Sequence, residues 1–471
     1  MQLSSANLWQ STLGQPPIRY PAAEAQSDWD VAIVGGGFSG LWTAFFLKHY
    51  QPSWRICVLE ARQVGHGASG RNGGWVMGSL EGLAQLLGPL PTQQRRAVTQ
   101  QLRLLVPDFG RDVQSANIEC DFSQGGAIMA AARYRQQARR ARDLLQELRD
   151  LGFSEDDYRW LCPQELRQRI ALAQQWGGLY TPHVGVVHPG KLIHGLASWL
   201  DDRGVALFED SAALSITPGY ITTARATLRA RHIVIATEGY TQPNLPLAQQ
   251  LLKVDSGMLA TEPLSSDVWD EIGFHQREAL ADMSRLSTYL QRTGDDRLIV
   301  GARGSCSRRG EAKHHQEEWD AHFAFRKHLM QTLFPMLQNV TIEAAWGGTL
   351  AIARRRVPHL YVDSRTGLST LGGYAGEGVG GSYLLGKTLA LLLTGEDHEL
   401  TTMPWVHRSS LKHLPSWPMQ PLPWLGFTLI SRWFRWEESA QLRADRHPSV
   451  LNTSLRAGLE WSADALERYV L

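Results

Sequence analysis

Apolar positions near the start of the chain fall into runs that define three elements. Asp30, Val31, Ala32, Ile33 and Val34 form a short, largely β-branched run, the pattern of a strand buried on both faces. After a cluster of glycines, an apolar stretch of helical length reaches about His49, and Arg55 to Leu59 reads as a second buried strand. Strand, helix and strand in that order predict a parallel βαβ unit. Residues 91–112 and 131–152 carry longer, polar, helical patterns, and 176–187 followed by a helix to about 202 reads as a return to the first sheet. Residues 205–231 alternate as short strands. From 251 to 345 the pattern is β-rich around one helix over 313–334.

The glycines between the first strand and helix are Gly35, Gly37 and Gly40, a GxGxxG spacing. They permit, in turn, a tight turn out of the strand, a close approach of backbone to a pyrophosphate, and close packing of helix on strand. Phe38 and Ser39 open the helix, whose unpaired N–H groups and positive dipole end suit phosphate. Glu60 follows the second strand, 20 residues after Gly40, with Ala61 and Arg62 behind it. An acid there accepts hydrogen bonds from a ribose and repels a 2′-phosphate, favouring FAD or NAD over NADP.

Composition narrows the class further. Lys+Arg and Asp+Glu number 47 and 46, a net charge of +1, so no global field points to nucleic acid. The Arg-rich stretch 134–142 reads as a solvated helix face, since no basic or aromatic cluster extends it. Four cysteines, Cys57, Cys120, Cys162 and Cys306, form no CxxC pair, which excludes a zinc ribbon or disulfide framework and fits a reducing compartment. The first 27 residues lack a secretory pattern and no run reaches the ~18 apolar residues of a membrane span, so a cytoplasmic protein is expected. Residues 424–436 mix Trp, Phe, Leu and Arg, a composition that caps the protein's own core or a subunit contact, or lies in a membrane interface.

A second glycine-rich segment decides between cofactors. Gly65-His66-Gly67-Ala68-Ser69-Gly70-Arg71-Asn72-Gly73-Gly74, just beyond the ribose acid, resembles the D-amino-acid oxidase/glycine oxidase (DAO) superfamily of FAD-dependent amine oxidoreductases. Within it the chain is most similar to the bacterial γ-glutamylputrescine oxidase-like branch, which includes aminophosphonate oxidoreductases. Ala236, Thr237 and Gly239, in the turn after a strand at 233–235, resemble the family's return to the nucleotide. Trp346 and Gly348 resemble its WxG segment. Gly376, Glu377, Gly378, Val379 and Gly380 resemble the loop whose helix faces the flavin. The resemblance implies FAD, held non-covalently, with Gly67, Ala68, Ser69, Arg71, Asn72, Gly73 and Gly74 among its contacts.

The implied fold is α/β, a Rossmann-type FAD-binding domain of the GR2-like kind with an inserted α+β substrate domain on an antiparallel or mixed sheet. Its segments are an arm at 1–27, an FAD-binding domain from 28–88, 176–250 and 346–400, a substrate domain from 89–175 and 251–345, and an extension at 401–471. The implied reaction moves a hydride from the carbon beside a neutral amine to the flavin, so no nucleophile or metal is required. The product is an imine, then an aldehyde or keto acid, with ammonia and H2O2. Alternatives are a dehydrogenase that hands electrons to a quinone or carrier, and a structural flavin subunit. With one GxGxxG unit, an NAD(P)-linked reductase is disfavoured.

Three residues are candidates for the chemistry. Arg303, at the end of a strand, suits a substrate carboxylate or phosphonate, or else an interface ion pair. Tyr289, on the preceding strand of a hairpin, lies beside it or is an ordinary core tyrosine. His66 stands where related sequences carry an aromatic and is free to tune the flavin, take a proton or pack. Glu377 either attracts a cationic amine or bonds its own turn, and Lys253 offers a positive charge for oxygen activation.

Overall fold

The computed structural model describes residues 7–24, 26–306, 323–446, 454 and 456–463, without the side chains of residues 303 and 305. The strand Ser27–Val34 lies at the centre of a nine-stranded sheet, parallel to Thr227–Ile235 on one side and Ile56–Leu59 on the other. Leu368–Gly372 and Ala206–Phe208 extend the parallel core outward. Alternation along the central strand explains its all-apolar composition. Val31 and Ile33 face a layer of helices Phe38–Tyr50, Pro189–Asp201 and Gly378–Thr394, whereas Ala32 and Val34 face Ile221, Leu228, Leu411 and Leu414.

The second layer is an eight-stranded sheet in the order Ile342–Ala353, Leu251–Thr261, Leu298–Cys306, Thr288–Arg292, Ala279–Asp282, Ala127–Ala130, Gly178–Thr181 and Arg159–Leu161. All neighbours are antiparallel except Ala127–Ala130 with Ala279–Asp282, so the sheet is mixed. This is the expected α/β fold with a sheet-based second layer. Two strands differ from their expected place. Gly178–Thr181, expected in the nucleotide-binding part, pairs in the eight-stranded sheet, where it joins Ala127–Ala130 to Arg159–Leu161. Ile342–Ala353 runs through position 346 without a break and carries Trp346 and Gly348 in that sheet too.

The polar helices are Thr92–Ser115 and Gln136–Asp150. Of the Arg-rich stretch, Arg139 is exposed as expected, but Arg140 is mostly covered and pairs with Glu437. A long C-terminal helix, Leu422–Arg446, causes the difference by covering that face. Ile430 and Phe434 are buried in it, while Leu422, Leu425, Leu429 and Trp436 stay exposed on one stripe. Packing and exposure therefore share the 424–436 segment. The helix expected over 313–334 is described only as Phe323–Leu333, and its beginning lies outside the described residues. Among the described residues no helix is long and apolar enough to cross a membrane.

Candidate active site

One cavity of about 1440 Å³ runs between the two sheets, above the roughly 300–1,000 Å³ typical of a single small ligand. At one end it is floored by the strand-to-helix turn. Gly35, Gly37, Phe38 and Ser39 line it, with Glu60, Ala61 and Arg62 beside them. The Glu60 carboxylate accepts the Gly36 and Arg62 N–H groups, each at 2.9 Å. Burial pushes its carboxyl up, and those two N–H groups oppose the shift. Ser69 Oγ accepts the Phe38 N–H at 2.8 Å, joining the second glycine loop to the helix start. Gly67, Ala68, Ser69, Arg71, Asn72 and Gly73 line the same wall, as does His66.

The far wall is the closing loop. Gly376, Glu377, Gly378 and Val379 line the cavity where helix Gly378–Thr394 begins, and Ala236, Thr237 and Gly348 complete this region. The Glu377 side chain does not cap its own helix. Its charge, together with the larger effect of burial, pushes the Tyr158 hydroxyl up across the cavity.

Five expected contacts stand behind the wall instead. A Cβ on Gly40 would lie 2.1 Å from the Gly35 oxygen, one on Gly74 2.3 Å from the Val187 oxygen, and one on Gly380 2.3 Å from the Met77 oxygen. Gly239 backs onto the Thr349–Leu350 backbone, and Trp346 is wholly buried with its indole N–H on the Arg71 oxygen at 3.0 Å. These residues shape the cavity without lining it.

Tyr289 lines the cavity from the second sheet, and its hydroxyl lies 2.9 Å from Ser256 Oγ. Two glycines make room for its ring: a Cβ on Gly301 or Gly73 would come within 2.0 and 2.7 Å of it. Arg303 pairs with Ser256 through its backbone, and its side chain lies outside the described residues. Arg71 directs its guanidinium onto backbone, at 3.0 Å from the His66 oxygen and 3.3 Å from the Gly347 oxygen. Lys253 donates to the Thr241 oxygen at 3.0 Å and does not line the cavity.

Sequence patterns missed two groups. Glu238, half-buried with φ +45°, lines the cavity and accepts the Gly239 N–H, and the N–H groups of Gly373, Tyr374 and Ala351 nearby also favour its charged form, so one carboxyl faces the return turn, the closing loop and the second sheet. Burial pushes that carboxyl up to about 7 against those bonds. Its only sequence signal was an acid placed among small residues after a buried strand. The second group lies in an outer lobe, where Asp157 accepts both ends of the Arg103 fork at 2.6 and 2.7 Å and the cavity-lining His183 at 2.9 Å.

Burial pushes the Asp157 carboxyl up, but hydrogen bonds from Arg103, Ser154 and His183 outweigh it and hold it below the usual carboxylate range. A depressed folded value means stability that is present above the unfolded value, about 3.9, and lost as pH falls below it. Asp157→Asn is expected to cost about 2 kcal/mol at neutral pH. The gap should shrink below about pH 4. Denaturant melts at two pH values check this, and a gap independent of pH would remove the charge from the argument.

The donor set suits a dinucleotide with a flavin ring: a helix N-terminus for pyrophosphate, Glu60 for ribose, and two glycine loops bordering a broad cavity. Residues 30–392 match the family model described as FAD dependent oxidoreductase, DAO. A probable oxidoreductase OrdL of Haemophilus influenzae is 27% identical over 385 residues, covering 79% of this chain and 84% of that one. The gamma-glutamylputrescine oxidoreductase of Escherichia coli is 26% identical over 386 residues, covering 78% and 84%. Among solved structures, glycine oxidase from Geobacillus kaustophilus superposes with a TM-score of 0.66 at 20% identity, over 81% of this chain and 99% of that one.

Proposed function

The chain belongs to the DAO family of FAD dependent oxidoreductases, and from that premise we propose that it oxidises a primary or secondary amine with O2 as electron acceptor. The carrying observation is a continuous cavity that joins the dinucleotide cradle of Gly35–Ser39 and Glu60 to a polar pair, Tyr289 and Ser256, on the opposing sheet. Amino acids, polyamine conjugates and aminophosphonates are the substrate classes in view. The similarity to a gamma-glutamylputrescine oxidoreductase supports an amine. So do Asp143, Glu147 and Asp150 at the outer lobe, which favour a cationic substrate end because the arginines lining the same lobe, Arg140 and Arg285, are paired with Glu437.

Bound FAD supplies the two-electron acceptor. The chain's own residues orient the amine and exclude water. Trp75, Met77, Leu80 and Tyr374 form apolar wall, and the Tyr289 hydroxyl with Ser256 fixes a polar substrate group. The substrate loses a hydride from the carbon beside nitrogen and a proton from nitrogen, becoming an imine. Water then releases an aldehyde or keto acid and ammonia or an amine. O2 takes up the two electrons and two protons as H2O2. FAD is held non-covalently in this reading: none of the four cysteines lines the cavity, and no disulfide joins any two of them, which fits the reducing cytoplasm expected from composition.

Anaerobic mixing with a panel of amino acids, glycine derivatives, polyamines, γ-glutamyl amines and aminophosphonates is expected to bleach the flavin's visible band with one class. Admitting air should restore the band with one H2O2 per substrate. No bleaching by any member, with FAD bound stoichiometrically, would overturn the amine reading. A second reading, a dehydrogenase serving a quinone or carrier, draws on the exposed stripe Leu422, Leu425, Leu429 and Trp436, where a membrane or carrier could dock. Bleaching that air does not reverse, but a soluble quinone does, selects it.

A further inference from the structure

The second glycine loop is held by its carbonyls. The Ala68 oxygen accepts the Arg71 N–H at 3.1 Å and Asn72 Nδ2 at 3.2 Å. Asn72 Nδ2 also reaches the Ser69 oxygen at 2.6 Å. Asn7 Nδ2 holds the Gly70 oxygen at 2.5 Å, Trp346 Nε1 the Arg71 oxygen at 3.0 Å, and Trp9 Nε1 the Asn72 oxygen at 2.8 Å. Five consecutive carbonyls are thus engaged, two of them by residues of the N-terminal arm.

A trans peptide is planar, so fixing the direction of its C=O fixes its N–H on the opposite side. With the Arg71 and Asn72 oxygens turned onto two indoles, the N–H groups of Asn72 and Gly73 are turned the other way. Both residues line the cavity, and neither N–H has an acceptor among the described residues. A pair of fixed N–H donors on a cavity wall is what stabilises negative charge on a bound ligand.

The clamp is itself rigid. Trp9 and Trp346 are buried and meet edge to face at 5.8 Å. Trp9 also packs on His188 at 4.8 Å, and that imidazole meets Thr12 Oγ1 at 2.9 Å. Asn7 is used at both ends, since its Oδ1 caps the short helix Leu8–Ser11 at the Trp9 N–H while its Nδ2 holds the loop.

We propose that the N-terminal arm is a positioning element of the flavin site: Trp9, with Trp346, sets the Asn72 and Gly73 N–H groups toward the flavin edge that gains negative charge on reduction, and so raises its reduction potential. The proposal rests on the FAD site of the preceding reading and extends it to residues outside the cavity.

The test is Trp9→Phe, which keeps the ring and removes the N–H, beside Trp346→Phe. Trp269→Phe is the control, because Trp269 is equally buried and also donates to a backbone oxygen, that of Asp296 at 3.2 Å, far from the loop. Both clamp variants are expected to lower the equilibrium constant for flavin reduction about three- to tenfold. By the two-electron conversion, that is about 15–30 mV toward negative potential. They should also weaken FAD binding by a similar factor, with the visible band displaced. The control should lose comparable thermal stability and leave potential, FAD affinity and band unchanged.

If Trp9→Phe does not fold, Trp346→Phe decides alone. Full FAD loading with wild-type potential and band in every clamp variant that folds would overturn the proposal and leave Trp9 as core packing. A wild-type chain that takes up no FAD would overturn the FAD reading and this proposal with it.

Discussion

Gly40→Ala is expected to yield protein without bound FAD and with a loss of about 3 kcal/mol or more in stability. The added methyl would sit 2.1 Å from the Gly35 oxygen and 3.1 Å from Ile33 Cγ2, so strand and helix must separate. The turn has no direction in which to yield. Gly35 adopts φ +118°, its N–H is held by the Leu59 oxygen at 2.8 Å, and a shift toward the neighbouring strand meets the Ala236 oxygen. Any opening displaces the N–H groups at the start of helix Phe38–Tyr50 that would receive the pyrophosphate. Gly395→Ala supplies the contrast. That glycine ends helix Gly378–Thr394 at φ +76° with nothing within 4 Å, so the variant meets only the left-handed backbone, about 1 kcal/mol, and should keep its flavin. Absorbance ratios for FAD content and denaturant melts measure both. A Gly40→Ala protein as yellow and as stable as wild type would show that the turn relaxes in a way the packing does not allow for.

The same turn explains why this half of the site was legible from sequence. Strand, glycines, helix and Glu60 lie within 31 consecutive residues, from Asp30 to Glu60, and each acts on a neighbour a few positions away. Local spacing therefore carries their geometry. The parts that stayed hidden depend on contacts between distant segments. Asn7 and Trp9 act on Gly70 and Asn72, 63 positions on, and nothing in an arm without a regular pattern marks one tryptophan as a hydrogen-bond donor to that loop. Gly178–Thr181 is four residues of strand that either sheet would accept, and only its pairing with Ala127–Ala130 decides. Arg140 read as solvated because its helix is polar overall, and its burial depends on a carboxylate nearly 300 positions later.

That carboxylate should be the most consequential residue outside the nucleotide-binding half, and Glu437→Ala is expected to cost about 3–5 kcal/mol. Glu437 is 1% exposed and accepts from Arg140 Nη2 at 2.5 Å and Gln441 Nε2 at 2.8 Å, with Arg285 Nε at 3.6 Å. Arg133 pairs with the adjacent Glu438, so two acids of the last helix are set against arginines of the second layer. Removing one acid leaves cations in a dry place, where desolvation is costly and the helix that supplied the partner loses its dock. The effect reaches the cavity because Arg140 and Arg285, with Met283 and Ser284 between the two layers, line its outer lobe. An arginine released there would meet the acidic wall at Asp143 and Glu147, weaken its pull on a cationic substrate and raise KM, with kcat changed far less. Replacing Glu437 and Arg140 together by leucine should recover much of the lost stability, since a packed apolar pair often equals a buried ion pair. The amine's KM should stay above wild type in the double variant if Arg140 shapes the lobe directly. A Glu437→Ala protein within about 0.5 kcal/mol of wild type, with unchanged KM, would mean that the last helix neither holds the second layer nor shapes the substrate lobe.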